Sequence, residues 1–250
     1  MLLMHLKTIQ ASAIKTCFEV LKDILNDVNV NFTPEGVNIT ALDNAKVALV
    51  NMNLQASNFE EYECNDSITA GINISNLFKI LKIITTSDVL TIDINDKEHM
   101  NIIVENDAKN SVSKFELSLL WINDDTLEIP DIEPSCTTIM PSVDFQRICR
   151  DMGNIGNYVS IFRHKNILNI SCNGDFAKQT TSIDTEQNDF DNAIGNKYSL
   201  KFINLFTKAT NMCSNMKIRQ IFPTDKMPII FVYDVANLGQ IEFLLAATLE

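Results

Sequence analysis

Met140-Pro141-Ser142-Val143-Asp144-Phe145-Gln146-Arg147-Ile148-Cys149-Arg150-Asp151-Met152 has the repeat of an amphipathic helix. Phe145, Ile148, Cys149 and Met152 recur at spacings of three and four and form one apolar stripe. Pro141 falls near the first turn, where a missing N–H leaves no helical bond unmade. Arg147 and Arg150, three apart, share one face of the same helix.

Three other segments are built alike. Residues 11–26 carry Ile14, Cys17, Phe18, Leu21, Ile24 and Leu25. A second helix begins near Asn73, with Ser75 as the expected N-cap, and carries Leu77, Phe78, Ile80, Leu81 and Ile84. Residues 200–209 carry Phe202, Ile203, Leu205 and Phe206. Between the helices, residues 29–32, 37–41, 46–54, 89–94, 101–105, 113–119, 158–162, 167–172, 217–220 and 229–234 read as strands, most alternating apolar with polar, the mark of sheets buried on one face. The order is strand, helix, several strands, helix, several strands, and from about residue 134 it runs again. An α+β chain of two similar halves follows, although their sequences barely match beyond Asn76-Leu77-Phe78-Lys79 against Asn204-Leu205-Phe206-Thr207-Lys208.

Residues 123–134 are acidic, contain Pro130 and Pro134, and leave no room for a regular element, so they are read as a linker between domains at 1–122 and 135–250. Residues 184–192, with four acids and one hydrophobe, read as a solvated hairpin loop; no glycine supplies the sharp turn of a calcium loop. The six cysteines are scattered without a CxxC pair and are expected to be buried free thiols, so neither a disulfide nor a metal site is anticipated. The N-terminal Met1-Leu2-Leu3-Met4-His5-Leu6-Lys7 is too short for the apolar region of a signal peptide and has no cleavage-site pattern, and no apolar run reaches a membrane span; an intracellular, soluble protein with no membrane partner is expected. His5, His99 and His164 stand apart from any nucleophile pattern and no Gly-rich loop precedes a helix, so no catalytic residue and no cofactor is expected.

The net charge of −12 argues against a nucleic-acid partner until its distribution is considered. Lys15 and Lys22, Lys79 and Lys82, Arg147 and Arg150, and Lys201 and Lys208 form four pairs, one on each helix, at spacings that put each pair on one face. Helix exteriors are commonly charged, and any single pair is explained that way. Across all four helices the bases gather while strands and loops carry the acid surplus, giving a locally positive surface on a negative body. No zinc finger, no helix-turn-helix and no aromatic-rich strand accompanies it, which leaves sequence-independent contact with duplex backbone.

Ala70-Gly71-Ile72-Asn73-Ile74-Ser75 leading into Lys79-Ile80-Leu81-Lys82, Met140-Pro141-Ser142 with Phe145-Gln146-Arg147-Ile148-Cys149-Arg150-Asp151, Phe206-Thr207-Lys208-Ala209-Thr210, and Gly36-Val37-Asn38-Ile39 with Leu42-Asp43 resemble, in order along the chain, segments of the proliferating cell nuclear antigen family. The resemblance implies a DNA-clamp fold: a ring of three identical subunits, each with two similar domains, antiparallel sheets outside and two helices per domain lining a central hole. It implies a sliding clamp that encircles double-stranded DNA and tethers DNA polymerase and other replication or repair enzymes. The eight helix cations would then face DNA. A pocket for short clamp-binding peptides is implied at Leu42, Lys46, Val47, Leu49, Leu127, Ile129, Pro130, Pro228, Leu244, Leu245, Ala246 and Ala247, with residues 244–247 pairing with the peptide backbone. Without the resemblance, Leu127 and Ile129 would more often simply staple the linker to the two domains. Subunit contacts are implied around residues 109–117 and 175–183, with Phe115, Leu117 and Lys178 at the seam. A clamp loader is a further implied partner, in the nucleus, or at a cytoplasmic replication site for a viral source. The chain departs from the family pattern at Thr16, Ser118 and Asn154, where basic residues are usual, and at Lys46, Phe115, Pro134 and Leu244. These departures keep open a clamp-fold subunit that binds clients, or serves a checkpoint assembly, without forming a homotrimeric ring.

Overall fold

The computed structural model describes residues 2–123, 133–185, 193–222 and 227–248. The chain divides into two units: Met1–Asn44, Val50–Leu127 and Asp234–Ile241 form the first, and Ala45–Leu49, Glu128–Tyr233 and Glu242–Glu250 the second.

The first unit contains β1 (Met4–Thr8), α1 (Ala11–Leu21), β2 (Asp27–Thr33), β3 (Gly36–Leu42), β4 (Ala48–Gln55) from Val50 on, β5 (Glu61–Cys64), β6 (Ile68–Asn73), α2 (Ile74–Leu81), β7 (Val89–Ile94), β8 (His99–Asn106) and β9 (Ser111–Ser118). Strands β5-β1-β7-β8-β9 form one antiparallel sheet, and β4-β3-β2-β6 run side by side in another. Strict alternation along β8, where Met100, Ile102 and Val104 are buried and His99, Asn101 and Ile103 are not, shows why the register holds: a slip of one residue would expose that apolar set. Leu6 and Ile92 from one sheet and Val30, Ile39, Met52 and Ile72 from the other are buried, as are Ile14 and Phe18 of α1 and Leu77 of α2.

In the second unit, β10 (Cys136–Pro141), α3 (Ser142–Gly153), β11 (Tyr158–His164), β12 (Ile167–Asn173), β13 (Lys178–Asp184), β14 (Ile194–Ser199), α4 (Leu200–Phe206), β15 (Asn215–Gln220), β16 (Ile229–Val235) up to Tyr233 and β17 (Gly239–Leu245) from Glu242 on follow in order, with α4 running on as a 3-10 helix over Thr207–Met212. Here the strand orders are β13-β12-β11-β14 and β10-β15-β16-β17. If β5 is set aside, the two units repeat one plan. β1, β7, β8 and β9 correspond to β10, β15, β16 and β17, and β4, β3, β2 and β6 to β13, β12, β11 and β14.

Several local expectations change. Asn73, not Ser75, caps α2: its side-chain oxygen accepts the Asn76 N–H at 2.9 Å, while Ser75 already lies inside the helix. Helix α1 stops at Leu21 because the chain turns toward β2, and Ile24 and Leu25 stay buried after it, their N–H groups bonding the Leu21 carbonyl. Strands β6, β10 and β14 enter α2, α3 and α4 with no intervening turn residues, and only the β10–α3 junction carries a breaker, Pro141.

Candidate nucleic-acid interface and docking surfaces

Helices α1 and α2 pack together in the first unit, and α3 and α4 in the second. In the second unit the helices rest on an aromatic cluster: Phe145 of α3 lies 5.4 Å from Phe231, and Phe206 of α4 lies 6.0 Å from Phe231 and 4.6 Å, stacked, from Phe243. With the stripes buried, the cations are turned outward. Lys79, Lys82, Arg147, Arg150, Lys201 and Lys208 are exposed, and Lys15 and Lys22 are half-buried.

Their surroundings differ in kind. Lys15 Nζ donates to the Ile84 carbonyl at 2.8 Å and ties α1 to the turn after α2. Lys22 Nζ lies 3.0 Å from Asp23 and 5.2 Å from the centre of the Phe78 ring. Arg147 stands 3.3 Å from Asp144, and Arg150 3.8 Å from Asp151. Lys79 donates to the neutral amide oxygen of Asn76 at 3.1 Å. Lys82 and Lys201 make no ion pair among the described residues.

Two sheet edges stand out. Strand β9 pairs with β8 alone and β13 with β12 alone, over eight and seven residues. Phe115 and Leu117 of β9 are half-buried on its inner face, and Lys178 opens β13 on its exposed face. Other edges are covered or short. Leu120 N–H bonds the Gly71 carbonyl at 2.8 Å beside β6, Arg163 donates to the Thr137 carbonyl at 3.2 Å beside β10, and Thr248 N–H bonds the Lys197 carbonyl at 2.9 Å beside β14. Strand β5 has four residues. In the first unit Gln55 N–H bonds the Leu238 carbonyl at 2.9 Å, and in the second Ala246 N–H bonds the Val47 carbonyl at 3.0 Å.

Of the residues expected to bind a client peptide, Leu127, Ile129 and Pro130 lie outside the described residues, as do residues 186–192 of the acidic hairpin loop. Leu42 is half-buried at the end of β3 in the first unit. In the second unit Val47, Leu49, Pro228, Leu244 and Ala247 are half-buried, while Lys46 and Ala246 are exposed. Leu244 and Met227 pack against a buried cluster of Ile221, Ile230 and Val232. The Leu245 side chain is fully buried, so only its backbone is left for a partner, and the Ala246 N–H is already used by Val47.

Sequence reasoning passed over two charged features. Arg163 is buried and donates to Thr138 Oγ1 at 2.7 Å and to the Lys165 carbonyl at 3.1 Å, fixing β10 against β11. On the outer face of the first unit, His5 Nδ1 lies 2.6 Å from Asp93 and Nε2 3.3 Å from Glu61, which also pairs with Lys7 at 3.2 Å. Burial opposes a charge on His5, but the hydrogen bonds and charges of Asp93 and then Glu61 outweigh it and raise the imidazole pKa. Among the described residues five cysteines are buried and Cys213 is half-buried, all as free thiols; burial pushes Cys17 up to about 12. No group of three or more His, Cys, Asp or Glu that could hold a metal occurs among the described residues, and no described helix is long and apolar enough to cross a membrane.

Residues 1–127 match the family model described as proliferating cell nuclear antigen, N-terminal domain, and residues 128–248 the model described as proliferating cell nuclear antigen, C-terminal domain. A curated protein of Paramecium bursaria Chlorella virus 1, "Probable DNA polymerase sliding clamp 1", is 35% identical over 259 aligned residues that span 99% of this chain and 98% of that one.

Proposed function

The chain belongs to the proliferating cell nuclear antigen family and is a DNA sliding clamp of DNA replication, and from that premise we propose how it works: three copies close into a ring around duplex DNA. DNA, DNA polymerase and further copies of itself are its partners. The observation that carries the ring is the pair of open edges. Strand β9 is the counterpart of β17, and β13 the counterpart of β4. A neighbour's β13 laid along β9 would repeat the pairing that Gln55 and Val47 already make with the chain around β17, and would cover both edges at once. Phe115, Leu117 and Lys178 are the seam residues in this arrangement.

The helix cations supply non-specific contact to phosphate, and none of them needs to read a base. Residues 1–122 and 135–250 act as the two clamp domains, with 123–134 connecting them. Client peptides dock beside that linker on Leu42, Lys46, Val47, Leu49, Leu127, Ile129, Pro130, Pro228 and the strip from Leu244 to Ala247, and a clamp loader opens one seam. The protein catalyses no reaction of its own; tethering is its contribution. The viral origin of the relative favours a viral replication site over the nucleus of a host.

Light scattering across a dilution series tests the ring. One chain weighs 28.2 kDa, so a trimer weighs about 85 kDa. A constant trimer mass down to micromolar protein, with retention on closed circular DNA, supports the proposal. A mass that stays near that of one chain at all concentrations, with no retention after loading, refutes it and leaves a client-binding subunit without a ring.

A further inference from the structure

The eight helix cations are not equivalent. Helices α1 and α3 carry acids among their bases: Glu19 and Asp23 accompany Lys15 and Lys22, and Asp144 and Asp151 accompany Arg147 and Arg150, so each group sums to zero. Three of these four cations sit within 4 Å of a carboxylate, Lys22 at 3.0 Å, Arg147 at 3.3 Å and Arg150 at 3.8 Å, and the fourth, Lys15, is turned to the Ile84 carbonyl. Helices α2 and α4, which are counterparts in the two units, are different. No acid occurs in the sequence between residues 67 and 87 or between residues 193 and 224, although the chain has 32 acids in 250 residues. Lys79, Lys82 and Lys201 are exposed on α2, its cap and α4, Lys208 is exposed on the 3-10 turn that continues α4, and Lys197 on β14 is the remaining exposed cation of the two acid-free stretches.

We infer that α2 and α4 carry the phosphate contacts of this clamp, and that the cations of α1 and α3 serve mainly the subunit itself. The inference rests on the proposal that the helices face DNA. Its physical basis is the range of the field. A cation with a carboxylate 3 to 4 Å away is a dipole whose attraction for phosphate fades well inside the screening length, about 8 Å at physiological salt, whereas Lys82 and Lys201, which make no ion pair among the described residues, act over that whole distance. A paired arginine must also give up its carboxylate before it can displace a counterion, so it contributes little to the salt-dependent term that dominates non-specific binding. This arrangement sets two strongly attractive stripes per subunit, one per unit, with weakly attractive ones between them in the chain order. The contact should therefore be loose enough for phosphates to be exchanged as the ring slides.

The test compares matched triple variants of the full chain, K79Q/K82Q/K201Q against K22Q/R147Q/R150Q, in binding a fluorescent blunt duplex over a salt series by anisotropy, with trimer mass checked by light scattering. The first set should weaken low-salt binding at least about tenfold and flatten the slope of log K against log salt, and the second should stay within about twofold. Removing the partner acids in D23N/D144N/D151N should tighten binding and steepen the slope. Should a triple variant lose its trimer mass, K82Q and R150Q alone are compared, with the same ordering expected. Equal weakening by both sets overturns the inference while leaving the helices as the DNA face. If neither set changes binding, the helices do not face DNA, and the inference fails together with the reading it rests on.

Discussion

Replacing Tyr233 by phenylalanine should stabilise the protein. Tyr233 is fully buried, and its hydroxyl is the only buried side-chain N or O atom without a hydrogen-bond partner among the described residues. Burial, and then the adjacent Cys149 and Cys213 thiols, lift its pKa far above the ordinary tyrosine value, so the group stays neutral. A neutral hydroxyl stripped of water and left unpaired costs about 1–3 kcal/mol. The ring itself packs edge-on against Phe243 at 6.1 Å, and a phenylalanine ring retains that contact and nearly all of the volume. The expected gain is therefore about 1 kcal/mol or more, or a rise in Tm of about 2–4 °C for a chain of this size. Denaturant and thermal unfolding should be followed by circular dichroism at one fixed protein concentration, because assembly shifts apparent stability. A loss of about 1 kcal/mol or more on removing the hydroxyl would refute the reasoning, since it would mean that a partner, such as a buried water, satisfies the group in solution.

The His5 cluster should make stability pH-dependent. Both ring nitrogens face carboxylate oxygens, which accept and do not donate, so both contacts are hydrogen bonds only when the imidazole is charged. With its folded pKa raised, His5 contributes stability that is fully present below about 6.5 and lost as pH rises through the higher folded value. His5→Gln should therefore narrow the gap to the parent protein as pH is raised from 6 toward 8, and a gap independent of pH would remove the explanation. Asn73→Ala should cost about 0.5–2 kcal/mol, because it removes the α2 cap together with the 2.6 Å bond from Asn73 Nδ2 to Asp27; an unchanged unfolding midpoint would contradict the cap. Phe115→Glu should shift the light-scattering mass toward a single chain by placing a charge on the half-buried face of β9, and an intact trimer would move the seam elsewhere.

The helices were legible because their signal is local: apolar stripes at spacings of three and four need no partner to be recognised, and the stripes of α1 and α3 are buried as the periodicity predicts, while in α2 and α4 Phe78, Ile80, Phe202 and Leu205 are only half-buried. Of the strands that sequence reading left out, β1 and β17 do alternate buried and half-buried residues, whereas β13 lacked such a signal. In β13 the sequence Lys-Gln-Thr-Thr-Ser-Ile-Asp offers one strong hydrophobe, because an edge strand is paired on one side only and half-buried at best, so its place in the sheet comes from β12 rather than from its own residues. Strands β6, β10 and β14 were hidden by continuity with the helices that follow them.

The cation pairs show the same division at the level of the candidate interface. That Arg147 would meet Asp144 was written in a spacing of three, and that α2 and α4 lie in stretches free of acid is visible in the sequence. That Lys15 would turn to the Ile84 carbonyl, 69 positions along the chain, was not, since only the packing of α1 on α2 brings them together. Charge counted along a helix therefore overstates what is offered to a phosphate. The quantity that matters is the cation left after local carboxylates and carbonyls have been served, and by that measure α1 and α3 offer less than their four cations suggest.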